Sequence, residues 1–126
     1  GNYPFVVVDN EAGMEHMSRL VTQDVDHLFV VSAGTARGIL TASRILGLIG
    51  ELNLNIAHSY VVINRVQEGR MEEVTRLAKD RKIQPAALIR DDQSLFGLDA
   101  EGGSVFSLAE NSEALTDAYG LFERVQ

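Results

Sequence analysis

The chain has 126 residues, of which 45% are apolar and two are proline, and its formal net charge is −7. This length and apolar content suit one domain with a hydrophobic core and argue against intrinsic disorder. The acidic residues are spread along the chain without a basic block, which argues against nucleic acid or an anionic membrane as a direct partner.

The sequence contains no cysteine. Disulfides and thiolate metal sites are therefore excluded within these residues, and the composition is compatible with the reducing cytoplasm, where we expect the protein to be located. No apolar run approaches the ~20 residues needed to span a bilayer, and the N-terminus lacks the pattern of a signal peptide.

Four short apolar runs, rich in valine, isoleucine and phenylalanine, occur at residues 5–8, 28–31, 60–63 and 87–89. Helical patterns separate the runs, an alternation that is typical of βαβ units. It predicts an α/β fold with a parallel sheet of about four strands and helices on both faces. Because the first run is apolar at every position, it predicts a strand buried on both faces.

The longest helical pattern covers residues 35–52, where one apolar stripe is formed by Ile39, Ala42, Ile45, Leu46 and Ile49. Gly38, Gly47 and Gly50 lie inside this pattern, and each costs about 1 kcal/mol relative to alanine. Their presence therefore indicates close packing against a neighbour.

Three further helices are predicted. A short one begins near Met14, and a second follows the third apolar run, with Met71 and Val74 on its buried side. Asn111 or Ser112 can cap the last helix. Between residues 95 and 108 the glycine content predicts loops and turns.

The first apolar run ends at Asp9, and Gly13 follows four residues later. Ligands of open parallel sheets bind outside the carboxyl ends of the strands, where Mg²⁺ takes one or two carboxylates together with phosphate oxygens. A glycine lets the backbone approach such a ligand closely. The residues alone leave two interpretations open, a Mg²⁺-nucleotide site at Asp9 or an aspartate that only caps the following helix.

Residues 6–19 resemble the Walker B and switch II segment of the deviant P-loop ATPases, which include MinD, the ParA proteins and the arsenite-pump ATPase. The sequence motif is most similar to that of the CooC-type ATPases, which help to insert nickel into carbon monoxide dehydrogenase. The matching positions are Asp9, Glu11, Ala12, Gly13, Glu15, His16 and Arg19.

This resemblance implies roles for three residues. Asp9 would hold Mg²⁺ through a water molecule, Gly13 would sense the γ-phosphate through its backbone amide, and Glu11 would act in the nucleotide-responsive switch. Glu11 is also explained as a carboxylate favoured in the first turn of a helix. Asn10 departs from the threonine that is common at its position.

The similarity continues at Asn64 and Arg65, which follow the third apolar run. In this class the matching asparagine contacts adenine, and an amide offers the base both a donor and an acceptor. Arg65 would stack on the base or be solvated. Asp91 falls in the segment whose backbone borders the base, although Arg90 stands where a proline is usual.

The sequence contains no phosphate-binding loop of the form Gly-x-x-x-x-Gly-Lys-Ser/Thr and no Lys-Gly-Gly variant. Such ATPases need this loop, because its amides and lysine neutralise the phosphates. We therefore expect residues 1–126 to be the C-terminal part of a three-layer P-loop NTPase domain, or a natural relative that lost the loop. In either case the chain alone should hydrolyse no ATP.

The resemblance implies ATP and Mg²⁺ as cofactors of the full-length protein, a homodimer around ATP, and a metalloenzyme client similar to carbon monoxide dehydrogenase. Nickel would need residues outside this chain, because no two histidines have the sequence spacing of metal ligands. One alternative is a positioning or partition ATPase of the MinD and ParA type. Another is a non-enzymatic flavodoxin-like or receiver-like binding module, although neither Lys79 nor Lys82 lies at the strand end where a receiver needs a lysine.

Overall fold

The computed structural model describes residues 4–9, 24–95, 102 and 112–125. Within these ranges three parallel strands form one sheet in the order β1-β2-β3. The strands are β1 (Val25–Ala33), β2 (Ile56–Val66) and β3 (Ala87–Arg90), and the helices are α1 (Ala36–Glu51), α2 (Met71–Asp80) and α3 (Glu113–Val125). The predicted α/β class with a parallel sheet is confirmed.

Helices cover both faces of the sheet, as predicted. Side chains alternate along a strand, so Val61 and Ile63 of β2 point to one face and Val62 points to the other. On the first face α1 and α2 pack over Val30, Val61 and Ile63. On the second face α3 packs over Val62, Ala87 and Ile89 through Ala114 and Leu121.

The register between β2 and β3 shifts near the carboxyl end of the sheet. Ile63 pairs with Leu88, but the next pair is Val66 with Arg90, so β2 contains one extra residue. A bulge of this kind bends the strand and changes the direction of its side chains. It falls at Asn64 and Arg65, two of the predicted site residues.

The beginning of α1 requires a glycine at position 38. Thr35 caps the helix, and its Oγ1 accepts a hydrogen bond of 3.0 Å from the N–H of Gly38. A Cβ at position 38 would lie 2.6 Å from the carbonyl oxygen of Ala33. Among the described residues, a Cβ at Gly47 or Gly50 would meet nothing within 4 Å, so in this part of the chain the prediction of close packing is right for Gly38 and wrong for these two.

We expect Gly38→Ala to lower the free energy of unfolding by about 1–3 kcal/mol, because the added methyl group overpacks against backbone. Gly47→Ala is the matched control in the same helix, and it should stabilise the chain by about 1 kcal/mol through helix propensity. Urea unfolding of the two variants measures both effects. Equal stabilisation by both substitutions would show that Gly38 is not needed for the turn between β1 and α1.

The prediction of a buried strand at residues 5–8 is wrong for this chain. The segment has no regular secondary structure and belongs to no sheet, and Phe5, Val6, Val7 and Val8 are 62–91% exposed. A strand buried on both faces needs a neighbouring strand and a helix on each side. Among the described residues, no strand pairs with residues 5–8 and no helix covers them.

The predicted helix near Met14 and most of the predicted loop at residues 95–108 lie outside the described residues. Of the helices in the described ranges, none combines the length and the apolar character needed to cross a membrane.

Candidate functional site

The structure brings Asn64, Arg65 and Asp91 together at one edge of the sheet. Asn64 and Arg65 lie near the end of β2, and Asp91 follows β3, so all three lie at the carboxyl ends of neighbouring parallel strands. The N–H of Asp91 donates to the carbonyl of Val66 at 2.9 Å, and Arg65 Nε lies 3.5 Å from Asp91 Oδ1. This edge is where open α/β sheets bind ligands.

A local turn presents Asn64 to solvent at this edge. Its Oδ1 accepts a 2.9 Å hydrogen bond from the N–H of Arg65, whose φ of 57° lies in the left-handed region. A non-glycine residue there costs of order 1–3 kcal/mol and is found preferentially at functional sites. The Nδ2 of Asn64 has no partner among the described residues, and Oδ1 keeps a second lone pair. The amide can therefore both donate to and accept from a ligand.

The ion pair between Arg65 and Asp91 is weak. The side chains are 73% and 37% exposed, and exposed pairs typically contribute about 0–1 kcal/mol. A planar ligand can therefore compete for the guanidinium, which stacks well on aromatic rings.

Arg90, which stands where the resembled class usually has a proline, makes contacts that a proline could not make. Its backbone N–H donates to Asp117 Oδ2 at 2.9 Å, and its Nε and Nη2 donate to Asp117 Oδ2 and Oδ1 at 3.0 and 3.1 Å. A proline could not make the backbone contact. The hydrogen bonds that Arg90 donates to the Asp117 carboxylate raise the pKa of Arg90, and together these contacts join α3 to the end of β3.

Asp92 holds the start of α3 beside the candidate site. Asp92 Oδ2 accepts hydrogen bonds from Ser112 Oγ at 2.5 Å and from the N–H of Ala114 at 3.3 Å. Asp92 Oδ1 accepts from the N–H and Oγ of Ser94 at 2.9 and 2.5 Å. The bond from Ser112, followed by those from Ser94, lowers the pKa of Asp92 well below its usual value. The carboxylate also lies favourably at the helix N-terminus.

This lowered pKa predicts a loss of stability in acid. The contribution of Asp92 is complete above the usual aspartate pKa of about 4 and declines as the pH falls below that value toward the lower pKa of the folded state. Asp92→Asn should be less stable than the unaltered chain at pH 7, and the difference should shrink below pH ~4. Thermal unfolding between pH 2 and 7 measures this, with Asp80→Asn at the exposed end of α2 as the control. A difference that is constant with pH would contradict the assignment.

The remaining predicted site residues are not assembled. Asp9 is exposed at the end of the unpaired segment, and it makes no hydrogen bond or ion pair with Asn64, Arg65 or Asp91. Glu11 and Gly13 lie outside the described residues, as do Glu15, His16 and Arg19. The structure thus forms the part of the predicted site that would contact a base and leaves the phosphate part unassigned.

The described residues could supply only part of the coordination shell of a Mg²⁺ ion. The described part of the chain has no group of three or more histidine, cysteine or acidic side chains that could hold a metal. The exposed carboxylate of Asp9 suits the ion as one oxygen ligand or as an acceptor for its water, with phosphate and water completing the shell.

The parallel register places His27 beside His58, which are far apart in sequence. Their rings stack with centroids 5.4 Å apart. No acidic or thiol side chain within the described ranges joins them to make a three-ligand site.

Two grooves in the described part of the chain lie away from the candidate site residues. A groove of about 540 Å³ is lined by side chains of α2 and by Leu88, and a smaller one of about 160 Å³ lies between α1 and α2. Neither groove is lined by Asn64, Arg65 or Asp91. Sequence inspection missed Asp117, which binds Arg90, and it found Ser112 only as a helix cap and not as a partner of Asp92.

No protein-family model matches the chain. Over 124 residues it is 33% identical to an uncharacterized ATP-binding protein of Methanocaldococcus jannaschii, an alignment covering 98% of this chain and 49% of that protein. A second uncharacterized ATP-binding protein of the same organism is 31% identical over 75 residues, covering 60% of this chain and 28% of that protein.

Two solved structures have a similar fold. The MinD cell division protein of Aquifex aeolicus matches with a TM-score of 0.61 and 18% identity, covering 79% of this chain and 43% of that one. The cell division ATPase MinD of Pyrococcus furiosus matches with a TM-score of 0.65 and 17% identity, covering 93% of this chain and 48% of that one. The chain thus has a MinD-like α/β fold and spans about half the length, or less, of these proteins.

Proposed function

We propose that this chain is the C-terminal, base-binding part of a MinD-like P-loop ATPase whose phosphate loop belongs to a longer polypeptide. The observation that carries the proposal is the meeting of Asn64, Arg65 and Asp91 at the carboxyl edge of the sheet. The two ATP-binding relatives and the MinD-like fold support it. Below, "the longer protein" means the native polypeptide that contains these residues.

In this proposal Asn64 selects adenine. An asparagine amide pairs with adenine by accepting from N6 and donating to N7. Guanine carries an acceptor at the corresponding position, so it would face the oxygen of Asn64 instead of a donor. Arg65 stacks on the base, and Asp91 orients the guanidinium.

The phosphate part of the site is assigned to Asp9, Glu11 and Gly13. Asp9 would accept hydrogen bonds from the water shell of Mg²⁺, and the bound ion would neutralise charge on the phosphates. The amide of Gly13 would face the γ-phosphate, and Glu11 would belong to the switch that follows it. A homodimer closed around ATP would complete the enzyme.

Two physiological roles are compatible with this chemistry. The sequence motif at residues 9–19 supports a CooC-type role, in which the protein delivers nickel to a metalloenzyme similar to carbon monoxide dehydrogenase. The MinD-like fold equally supports a positioning or partition ATPase. Calorimetric titration of the longer protein with Ni²⁺ separates them, because only the first role requires nickel binding. The thiolate ligands would have to come from outside these residues, which contain no cysteine.

The experiment that tests the base site is Asn64→Ala in the longer protein. Loss of one two-bond contact worth about 1–3 kcal/mol should weaken ATP binding roughly 5- to 150-fold and reduce the preference for ATP over GTP. Isothermal titration with both nucleotides measures the change, and Gln67→Ala, an exposed residue just beyond the same strand, is the control. Unchanged ATP affinity and unchanged selectivity in Asn64→Ala would reject the assignment.

A further inference from the structure

Two histidines from different strands lie side by side near the amino-terminal end of the sheet. His27 of β1 is the register partner of His58 of β2, so both side chains point to the same face. Their rings stack with centroids 5.4 Å apart and planes inclined by 17°, and both residues are exposed in the described part of the chain. Sequence spacing gives no sign of this pair, because α1 separates its members.

Tyr60 holds one ring of the pair in a defined orientation. Its hydroxyl lies 3.1 Å from His27 Nδ1, and its ring stacks on those of His27 and His58 with centroids 5.8 and 6.4 Å away. When Nδ1–H donates to this hydroxyl, the lone pair of the neutral imidazole is on Nε2. Metal-binding histidines usually have such a hydrogen bond at the nitrogen that does not bind the ion. The arrangement therefore leaves Nε2 of His27 available to an ion.

Side-chain rotations convert the stacked rings into a chelating pair. Imidazole nitrogen binds a metal ion at about 2.0–2.1 Å, so the two coordinating nitrogens must come within about 4 Å of each other. Parallel pairing already holds the backbones of His27 and His58 at the strand spacing of about 4.8 Å. Because both side chains are exposed, rotation about χ1 and χ2 can direct the two lone pairs at one point while the backbone stays in place.

The ligand chemistry selects a class of ion. Imidazole suits borderline divalent transition metals such as Zn²⁺, Ni²⁺ and Cu²⁺, whereas Mg²⁺ takes oxygen ligands. No third histidine, cysteine or acidic side chain joins the pair within the described ranges, so water would complete the shell. The position is separate from the candidate nucleotide site, because His58 and Asn64 are roughly 20 Å apart along β2.

We propose that His27 and His58 form a two-histidine site for a divalent transition-metal ion, which joins β1 to β2 near the amino-terminal end of the sheet. Each imidazole supplies one nitrogen, and Tyr60 orients His27. The two histidines meet only in the folded sheet, so an ion that both of them bind stabilises the folded chain. The proposal does not depend on nucleotide binding.

Calorimetric titration of the longer protein with Zn²⁺ tests the pair. His27→Gln and His58→Gln should each weaken Zn²⁺ binding at this site about 100-fold, the scale on which a second intramolecular contact raises affinity. The double variant should lose little more than either single variant, because one remaining histidine cannot chelate. Excess Mg²⁺ should not displace the Zn²⁺. Zn²⁺ binding that is unchanged in the double variant would overturn the proposal.

A variant of the same composition separates the registered pair from binding by independent imidazoles. His58→Ala combined with Ala57→His keeps the number of histidines, and it moves one imidazole to the opposite face of β2 at an exposed position. This variant should bind Zn²⁺ as weakly as His58→Gln does. If it binds Zn²⁺ as tightly as the unaltered protein, the register of the two strands has no part in binding and the proposal fails.

Tyr60→Phe tests the orientation of His27. This change keeps the aromatic ring and removes only the hydroxyl, so the affinity for Zn²⁺ should fall about 10-fold, as when the hydrogen-bond partner of a metal ligand is lost. Saturating Zn²⁺ should raise the melting temperature of the unaltered protein and have little effect on that of His27→Gln. Equal increases in these two proteins would contradict the assignment.

The same variants separate this site from the nickel-delivery role. An imidazole pair binds Ni²⁺ as well as Zn²⁺. Nickel binding that disappears in the double variant belongs to His27 and His58, whereas nickel binding that persists there belongs to ligands elsewhere in the longer protein. Loss of Zn²⁺ binding in the double variant with ATP binding unchanged would support this site whether or not the nucleotide proposal holds.

Discussion

Replacing Asp9 by asparagine in the longer protein is expected to reduce ATP hydrolysis about 100-fold, the usual scale for removing one preorganised electrostatic contact. Phosphoryl transfer depends mainly on positioning and charge neutralisation, and the proposal gives Asp9 the magnesium shell. Asparagine has nearly the same shape but no negative charge, so nucleotide binding should change less than turnover. Steady-state hydrolysis at saturating Mg-ATP measures the effect.

Asp26→Asn is the matched control for this experiment. Asp26 is an exposed carboxylate near the N-terminal end of β1, which is the opposite end of the strand from the candidate site. Its replacement should leave turnover unchanged. If Asp9→Asn hydrolyses ATP as fast as the control, Asp9 has no part in the reaction and its resemblance to a Walker B aspartate is only structural.

Ile63→Ala should produce the largest loss of stability in this chain, about 2–5 kcal/mol in the free energy of unfolding. Ile63 is fully buried in the centre of β2, in the cluster that joins the sheet to α1 and α2. Truncation removes buried methyl groups and leaves a cavity that surrounding backbone cannot fill. Because small domains are stabilised by only about 5–15 kcal/mol, a large share of the chain would unfold at elevated temperature.

Urea titration of Ile63→Ala beside Val31→Ala isolates the effect of burial. Val31 lies on the neighbouring strand but is 61% exposed, so its truncation should cost no more than about 0.5 kcal/mol. Similar losses in the two variants would mean that the cluster around Ile63 does not form the main core of this chain.

The candidate site contains groups suited to binding a base but no phosphate-binding loop. Base recognition requires a few donors and acceptors at strand ends, and in the proposed function Asn64, Arg65 and Asp91 would supply them within one βαβ unit. Phosphate binding requires many backbone amides and a lysine near a helix N-terminus. The sequence contains no such loop, so under the proposed function the phosphate loop would come from the rest of the longer protein.

Local sequence patterns were sufficient for most secondary structure. The apolar stripe around Ile39 and Ala42 predicted α1, and the short apolar runs around Val61 and Leu88 predicted β2 and β3. This was possible because helix and strand periodicity depend on neighbours only a few residues away. Ser112 was one of two predicted caps for α3, and the structure confirms it with Oγ accepting the N–H of Leu115 at 3.3 Å.

What the sequence determined by itself was the α/β alternation, the parallel sheet and the placement of Asn64 and Asp91 at strand ends. Only the tertiary structure decided that Gly38 is sterically required while Gly47 is not, that Arg90 is bound by Asp117, and that residues 5–8 stay outside the sheet. The physical reason is the same in each case. Strand pairing, a close contact or an ion pair depends on a partner that is distant in sequence. Apolar periodicity indicates which side chains of a segment can be buried, but it does not indicate which element will cover them.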